Sequence, residues 1–298
     1  MTAGVYLHIP FCKSRCSYCD FATDVYRDSG AVERYVDAIC QEIARFSLPD
    51  HQKQNWIDTI YFGGGTPSLL LPRHVERIRD AIDEVFLLMG ADEVTMEMNP
   101  ATVTPEILAG YRNLGVNRAS FGVQTFDDRE LKLLARGHDA NDARATFKLL
   151  RDAGFENISF DLIAGLPGQT MDGWRRNLEE AIDLSPEHLS LYLLEIHQGT
   201  PLAEQVRSGR RPIPDEDLAA EMYETRSTLS QRPVTSSTRS QTSHGPVSNR
   251  GITQNTGGSI RFTDSASRPT LLTAESDMRM SAIRRNTWTR SRREAVQR

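Results

Sequence analysis

Residues 6–21 read YLHIPFCKSRCSYCDF, and this stretch decides the fold. It places Cys12, Cys16 and Cys19 at a Cys-x3-Cys-x2-Cys spacing directly after a short apolar strand. Three thiolates on one loop can hold a metal cluster, and a cubic four-iron cluster bound by three of them keeps one iron open to a small molecule. The spacing therefore predicts a [4Fe–4S] cluster with one iron free for a ligand.

Two other interpretations of these cysteines are weaker. A structural zinc site needs four protein ligands, usually in paired knuckles, and no second knuckle follows. Structural cysteines lie singly in apolar faces, whereas these three stand among Lys13, Arg15 and Asp20 on a polar loop. The fourth cysteine, Cys40, lies in an amphipathic helical pattern over residues 35–43, which predicts a small core residue.

The cysteine spacing resembles the signature of the radical SAM superfamily, in which the open iron binds S-adenosylmethionine (SAM). The wider phrases Tyr-x-His-Ile-Pro-Phe-Cys over residues 6–12 and Tyr-Cys-Asp-Phe over residues 18–21 resemble the oxygen-independent coproporphyrinogen III oxidase family, and in particular its heme-chaperone branch. The oxidase branch carries a further cysteine two residues after the third ligand. Phe21 at that position favours the chaperone branch.

Length and composition fit one large α/β domain with or without an extension, since the chain has 298 residues and 39% hydrophobic content. The sequence has no apolar run of about 18 residues and no basic-then-apolar N-terminal signal. Four cysteines, three of them clustered, do not make a disulfide framework, and an exposed cluster requires a reducing compartment. We therefore expect a cytoplasmic protein without an integral membrane segment.

The chain changes character near Ser230. Residues 230–298 hold twelve arginines, no lysine and four acidic residues, so they carry +8, while residues 1–229 carry −13. The same segment has 22 Ser or Thr and only two aromatic residues, Phe262 and Trp288. Such a composition cannot bury enough apolar area to offset chain entropy, which predicts a radical SAM core domain over 1–229 and a disordered tail over 230–298. Without interleaved aromatic residues the basic tail is not expected to bind nucleic acid.

Before that boundary the sequence alternates strands and helices. It predicts strands over 5–9, 59–62, 94–98, 118–123, 158–164 and 188–194, and helices over 31–46, 72–88, 105–114, 140–153 and 171–184. Thr104 is the expected N-cap of the third helix, and Gly154 the expected end of the fourth. Six βα repeats make a partial (βα)6 TIM-like barrel, the fold that the resemblance also implies.

Chemistry in such barrels collects at the carboxyl ends of the strands. The second strand ends in Gly63-Gly64-Gly65-Thr66, whose N–H groups could receive a carboxylate, although a tight turn alone explains such a run. The resemblance implies that Gly64, Gly65 and Thr66 bind the methionine part of SAM.

Glu97 closes the third strand, where a carboxylate needs a cation or a ribose as partner; the alternative is a solvent-facing side chain. The resemblance implies SAM-binding roles for Glu97, Gln124, Arg136 and Asp161, and on weaker grounds for Glu195. A structural Asp161–Arg136 ion pair is the strongest alternative for those two residues.

Tyr6 and Tyr18 flank the cysteines and would pack around the ligand, although core packing explains both equally well. The resemblance further implies heme as a ligand, or coproporphyrinogen in the oxidase branch, together with an unidentified heme acceptor protein and an electron donor.

The family's further domain, with a sheet extension and a His-Asn-x-x-Tyr-Trp motif, does not appear after Leu229. Back-translating residues 231–244 with free codon choice and rereading them two nucleotides later permits Ala-Ala-Gly-Tyr-Glu-Gln-Tyr-Glu-Ile-Ser-Asn-Phe-Ala, which resembles the family's continuation. The same exercise around residues 256–258 permits His-Asn-Pro-Lys-Tyr-Trp. We therefore expect the tail to be an out-of-frame translation that replaces the family's C-terminal domain.

Overall fold

The computed structural model of the chain describes residues 3–26, 28–46, 56–229 and 261–264. In chain order the elements are β1 (Ala3–Ile9), β2 (Phe11–Cys12), β3 (Asp24–Val25), α1 (Ser29–Ala44), β4 (Trp56–Gly64), α2 (Pro72–Val85), β5 (Leu87–Met98), α3 (Pro105–Asn113), β6 (Arg118–Gln124), α4 (Asp128–Leu133), α5 (Ala140–Asp152), β7 (Asn157–Ala164), α6 (Met171–Asp183), β8 (His188–Leu193), α7 (Pro201–Arg207), α8 (Glu216–Leu229) and β9 (Arg261–Asp264).

Seven of these strands form one parallel sheet in the order β1-β4-β5-β6-β7-β8-β9, with β1 and β9 at its two edges. Because a parallel strand must be reached by a crossover, each successive pair from β1 to β8 is connected through helix. All six predicted strands are present, and the α/β array of six repeats is confirmed.

Alternation along the strands gives the sheet one apolar and one polar face. The apolar face carries side chains that are buried against the helices: Ile60, Phe62, Met96, Ala119, Phe121, Ile158, Phe160, Leu189 and Leu191. The polar face carries the residues between them, which lie side by side in the parallel register: Tyr61, Thr95 and Arg118 in one row, Ser120, Ser159 and His188 in another. The sheet thus presents its polar chemistry on the face away from the main core.

Local signals set the helix ends. The Thr104 hydroxyl accepts from the Ile107 amide at the start of α3, so the predicted N-cap is confirmed. Gly154, at φ +81°, follows the end of α5 as expected. The predicted helix over 72–88 is wrong at its end, because α2 stops at Val85 and β5 begins at Leu87. The apolar run over residues 85–88 fits either a helix end or a buried strand start, so periodicity could not separate the two.

Four residues of the tail add a strand to the sheet. β9 pairs in parallel with β8, His188 lying opposite Arg261 and Leu191 opposite Asp264. These four residues fall within the segment predicted as a disordered tail, and they give β8 a neighbouring strand on its outer side. Residues 230–260 and 265–298, on which the rest of that prediction falls, lie outside the described residues.

Among the described residues, no helix has the length and hydrophobicity needed to cross a membrane.

Candidate functional site

The cysteine loop leaves the sheet at the carboxyl end of β1. Ile9, the last residue of that strand, lies opposite Gly64 in β4, and the Gly65 amide donates to the Ile9 carbonyl over 2.7 Å. Cys12 ends the short β2, which pairs with β3, and its carbonyl accepts from the Tyr26 amide over 2.7 Å. Backbone hydrogen bonds therefore fix the chain just before the cysteine loop, at Ile9, and at its first cysteine, Cys12.

Ser17 fixes the middle of this loop. Its side chain is 3% exposed, its amide donates to the Leu134 carbonyl over 2.9 Å, and its hydroxyl donates to the Leu133 carbonyl over 2.8 Å. The Leu202 amide in turn donates to the Ser17 carbonyl over 2.8 Å. The end of α4 and the start of α7 thus hold the cysteines in place.

Cys12, Cys16 and Cys19 are half-buried free thiols. Burial raises the pKa of Cys12, against the lowering effect of a hydrogen bond from Thr66, and burial is also the main cause of the raised pKa of Cys19. Within the described ranges no three Cys, His, Asp or Glu side chains group closely enough to bind one metal ion. The thiolates of a four-iron cluster bind different irons instead of converging on a single ion.

Gly65 fits the Cys12 side of this site in a way that no other residue would. A Cβ at this position would lie 3.0 Å from Cys12 Sγ and 2.7 Å from the Phe11 carbonyl oxygen. Only glycine lets the end of β4 approach the first cysteine so closely. The structure therefore leaves the sulfur of Cys12 accessible beside a bare stretch of backbone, which suits a bulky cluster.

The glycine run does not act through the amides that the sequence suggested. Gly64, at φ +116°, donates its N–H to Glu97 Oε2 over 2.9 Å, and Gly65 donates to the Ile9 carbonyl. The expectation that these two N–H groups receive a ligand carboxylate is wrong, since both are occupied within the protein. If Gly64 and Gly65 contact SAM as predicted, they do so through their carbonyl groups or by leaving room for it, since glycine has no side chain.

Glu97 is half-buried on the polar face, so the solvent-facing alternative is wrong. Tyr61 donates its hydroxyl to Glu97 Oε1 over 2.8 Å, and Gly64 donates to Oε2. Burial raises the pKa of Glu97, while these two hydrogen bonds and Arg118 oppose the rise. A carboxylate accepts about four hydrogen bonds, so this one can still accept from a ligand.

Asp161 lies near Glu97 on the same face. Burial and the charge of Glu97 raise the pKa of Asp161 to about 7, although a hydrogen bond from Ser190 and the cations Arg118 and Arg136 oppose the rise. The alternative of an Asp161–Arg136 ion pair is wrong, because the guanidinium donates to Cys16 Sγ, Asn99 Oδ1 and the Gly122 carbonyl instead.

Those three contacts place Arg136 beside the cysteines. It donates to Cys16 Sγ over 3.4 Å, to Asn99 Oδ1 over 2.6 Å and to the Gly122 carbonyl over 2.7 Å. Asn99 in turn donates through Nδ2 to Thr66 Oγ1 over 2.9 Å, and the Thr66 hydroxyl donates to Cys12 Sγ over 3.7 Å. Two of the three cysteines are thereby joined through one set of polar side chains.

Gln124 ends β6 with a backbone φ of +69°. A Cβ on Gly122 would lie 3.1 Å from Gln124 Nε2 and 3.1 Å from Asn99 Oδ1, so this glycine makes room for both amide side chains. Gln124 therefore lies at the strand ends with Asn99, near Arg136, which comes from the loop after α4.

The two tyrosines that flank the cysteines have different neighbours. Tyr6 is 43% exposed and stacks on Tyr61, with ring centroids 5.8 Å apart, on the polar face. Tyr18 is half-buried and packs against a small cluster of Leu133, Leu134, Ile163, Leu166 and Leu202. Tyr18 also hydrogen-bonds with Arg136, so it adjoins the cysteine site as well as this cluster. The predicted roles of both tyrosines toward SAM stay predictions.

Glu195 lies apart from the other predicted residues. Its side chain is 78% exposed and contacts His197 Nε2 over 3.3 Å, while His197 Nδ1 lies 3.3 Å from Asp20. The strand that was expected to carry Glu195 ends at Leu193. Its predicted role toward SAM stays a prediction.

Comparison with known proteins decides the family. The profile of the Radical SAM superfamily matches residues 6–181. The chain belongs to the radical SAM superfamily. It is 38% identical over 228 residues to the heme chaperone HemW of Synechocystis sp., covering 75% of this chain and 54% of that protein. It is 39% identical over 227 residues to HemW of Bacillus subtilis, covering 74% and 58%.

Two further radical SAM proteins extend this picture. The mitochondrial radical S-adenosyl methionine domain-containing protein 1 of Mus musculus is 39% identical over 224 residues, covering 74% of this chain and 50% of that protein. The structure of coproporphyrinogen III oxidase (HemN) from Escherichia coli superimposes with a TM-score of 0.66 at 29% identity, covering 77% and 52%. The chain thus spans about half the length of the curated relatives it matches.

Membership of the radical SAM superfamily implies a [4Fe–4S] cluster and SAM, and the half-buried thiols beside Gly65 fit the cluster. Sequence reasoning missed Asn99, Tyr61 and Ser190, which hold the predicted residues Arg136, Glu97 and Asp161. A signal existed for the first two, since Asn99 directly follows a strand end and Tyr61 alternates with Gly63 on the polar face. Ser190 has no distinguishing sequence pattern.

Proposed function

We propose that this chain carries the cluster- and SAM-binding domain of a heme chaperone. The observation that carries the proposal is the 37–39% identity to proteins named heme chaperone HemW over three quarters of this chain. Phe21 supports it, because the oxidase branch that the sequence resembles has a cysteine at that position. Phe21 is 63% exposed, so packing of the hydrophobic core does not explain why phenylalanine stands at this position instead of cysteine.

In this proposal Cys12, Cys16 and Cys19 hold the cluster. The chemistry that a reduced cluster supplies when bound is one electron for the sulfonium of SAM. Glu97, oriented by Tyr61 and Gly64, accepts hydrogen bonds from the SAM ammonium or ribose. Asp161, within β7, and Gln124, at the end of β6, lie nearby, and Tyr6 packs against the ligand.

The partners in this proposal are heme, a heme acceptor protein and an electron donor, all in the cytoplasm. The basis for heme is the name that the HemW relatives carry. The Mus musculus relative is named as mitochondrial, so cell fractionation is needed to test the proposed cytoplasmic location.

Coproporphyrinogen III oxidase is the alternative, supported by the structural likeness to the E. coli oxidase. It would oxidatively decarboxylate two propionates of coproporphyrinogen III to give protoporphyrinogen IX. The two functions separate in one anaerobic experiment on the reconstituted protein, which combines a heme titration followed by absorbance with a turnover assay for vinyl-group formation. Stoichiometric heme binding without sustained turnover supports the chaperone, whereas sustained turnover overturns it.

For residues 230–298 we propose an origin in a different reading frame of the same gene, replacing the family's C-terminal domain. Support comes from the abrupt change in composition at Ser230 and from the permitted rereading of residues 231–244. The codons of the gene test this directly. Codons that forbid the reread words would exclude it.

A further inference from the structure

We propose that Arg136, Asn99 and Thr66 form a directed hydrogen-bond chain that raises the reduction potential of the cluster held by Cys12, Cys16 and Cys19. The proposal rests on the cluster site and not on heme transfer. It gives Arg136 and Thr66 a role that operates before SAM binds.

The direction of every hydrogen bond in the chain follows from its first member. A guanidinium can only donate, so the Asn99 atom that faces Arg136 must be the carbonyl oxygen. The Asn99 amide nitrogen then faces Thr66 Oγ1 and must donate to it, since that nitrogen is not an acceptor. The Thr66 proton is thus directed away from Asn99, and Cys12 Sγ is the acceptor 3.7 Å away.

The other branch is direct. Arg136 donates to Cys16 Sγ over 3.4 Å, and its contact with the Gly122 carbonyl holds the guanidinium plane in place. Cys16 Sγ therefore accepts a hydrogen bond from Arg136 itself, and Cys12 Sγ accepts one from Thr66, whose orientation Arg136 sets through Asn99. Arg136 Nε is a buried nitrogen without a hydrogen-bond partner in the described structure, and the three contacts described above are made by the two terminal nitrogens, Nη1 and Nη2.

A fixed cation and donors to the sulfurs favour the more negative state of a cluster. One-electron reduction adds a negative charge to the cluster, and hydrogen bonds to the sulfurs, net charge and solvent exposure are what tune such potentials. A positive charge that is half-buried is screened less than one in water. The hydrogen bonds from Arg136 and Thr66 should therefore make the cluster easier to reduce than it would be with the cysteine loop alone.

The test is a redox titration of the anaerobically reconstituted full-length protein without SAM, with dithionite as the reductant and EPR of the reduced cluster as the readout. Arg136→Gln should lower the reduced-to-oxidised ratio at the wild-type midpoint at least tenfold, which is about 59 mV for one electron. Asn99→Ala and Thr66→Val should shift the ratio in the same direction by smaller factors, since each removes one link.

Two variants serve as matched controls. Thr66→Ser keeps the hydroxyl and should stay within about threefold of the wild-type ratio, because the donor to Cys12 is retained. Arg15→Gln removes an exposed cation next to Cys16 in sequence, and solvent screening should likewise keep its effect within about threefold.

Unchanged potentials in Arg136→Gln and Thr66→Val, with or without a loss of SAM affinity, would overturn the proposal and leave these residues to SAM alone. An effect of Arg15→Gln equal to that of Arg136→Gln would also overturn it, since it would show a general charge effect. If Arg136→Gln assembles no cluster, the comparison of Thr66→Val with Thr66→Ser decides.

Discussion

The amide of Gly64 donates to Oε2 of Glu97 over 2.9 Å, and this bond ties the end of β4 to the end of β5. The glycine run thus orients a carboxylate of the protein, whereas the sequence had suggested that it binds a carboxylate of the ligand. Together with the Tyr61 hydroxyl on Oε1, it leaves Glu97 fixed in direction but with acceptor capacity to spare.

Glu97→Gln should therefore weaken SAM binding by about 1–3 kcal/mol, the usual scale for losing a charge-assisted hydrogen bond. The amide oxygen can still accept one of the two internal bonds, so the fold and the cluster should survive. Anaerobic calorimetry of the reconstituted protein measures the affinity, with Glu204→Gln on the exposed side of α7 as a control. Equal affinity in wild type and Glu97→Gln would show that SAM does not use this carboxylate.

Replacing Cys12, Cys16 or Cys19 by Ala should each abolish the brown chromophore of the anaerobically reconstituted protein. Two thiolates on one loop cannot hold a four-iron cluster firmly. Cys40→Ala is the matched control, because Cys40 lies on α1 and contacts the Arg77 carbonyl instead of the cysteine loop. The ligand assignment is wrong if the absorbance of Cys40→Ala falls as far as that of the other three.

Asp161 should make the protein less stable as pH rises. Its pKa is raised from 3.8 to about 7 in the folded state, so across this window the unfolded chain has released a proton that the folded chain retains. The unfolded state then binds fewer protons, and stability falls with rising pH between these two values. Asp161→Asn removes the effect, so the free energy of unfolding of this variant should rise relative to that of wild type as pH rises from about 4 to about 7, and the difference should level off above that.

Urea unfolding at several pH values under anaerobic conditions measures this difference. Asp80→Asn, on the exposed face of α2, supplies the control and should follow wild type throughout. A stability advantage of Asp161→Asn that grows toward low pH would contradict the expected sign.

Gly165→Ala should destabilise the fold more than Gly115→Ala. Both glycines have positive φ, +79° and +87°, so the backbone strain of an added side chain is similar. Only at Gly165 would the new Cβ clash, 2.8 Å from the Ala219 Cβ of α8, since the position at Gly115 is open. The difference should be about 1–3 kcal/mol, as for overpacking, and urea unfolding of the two variants measures it. Equal losses would mean that α8 does not pack tightly on this loop.

The strands and most helix bounds were predictable because each carries a local signal. Thr104 and Gly154 mark their helix ends by chemistry, and the alternation of residues 118–124 sets both the strand and its polar face. The end of α2 was not predictable, since the apolar run there satisfies both a helix and a strand.

The candidate site divides in the same way. The three cysteines have a spacing that few other chemistries produce, so sequence alone identified them. The hydrogen-bond partners of Arg136, Glu97 and Asp161 lie on or directly after other strands of the sheet, and which strands are neighbours depends on sheet order and register. Asn99 and Ser190 could not be paired with their partners until that order was known.

Ser17 separates folding from metal loading. Its three hydrogen bonds reach residues more than a hundred positions away, so the cysteine loop loses its conformational entropy when the protein folds and not when iron arrives. In a zinc finger the two events are one, and removing the metal unfolds the domain. Here a cluster destroyed by oxygen would leave a folded chain with its thiols still in position. Damage at this centre would therefore be repairable, and a single molecule could be loaded more than once.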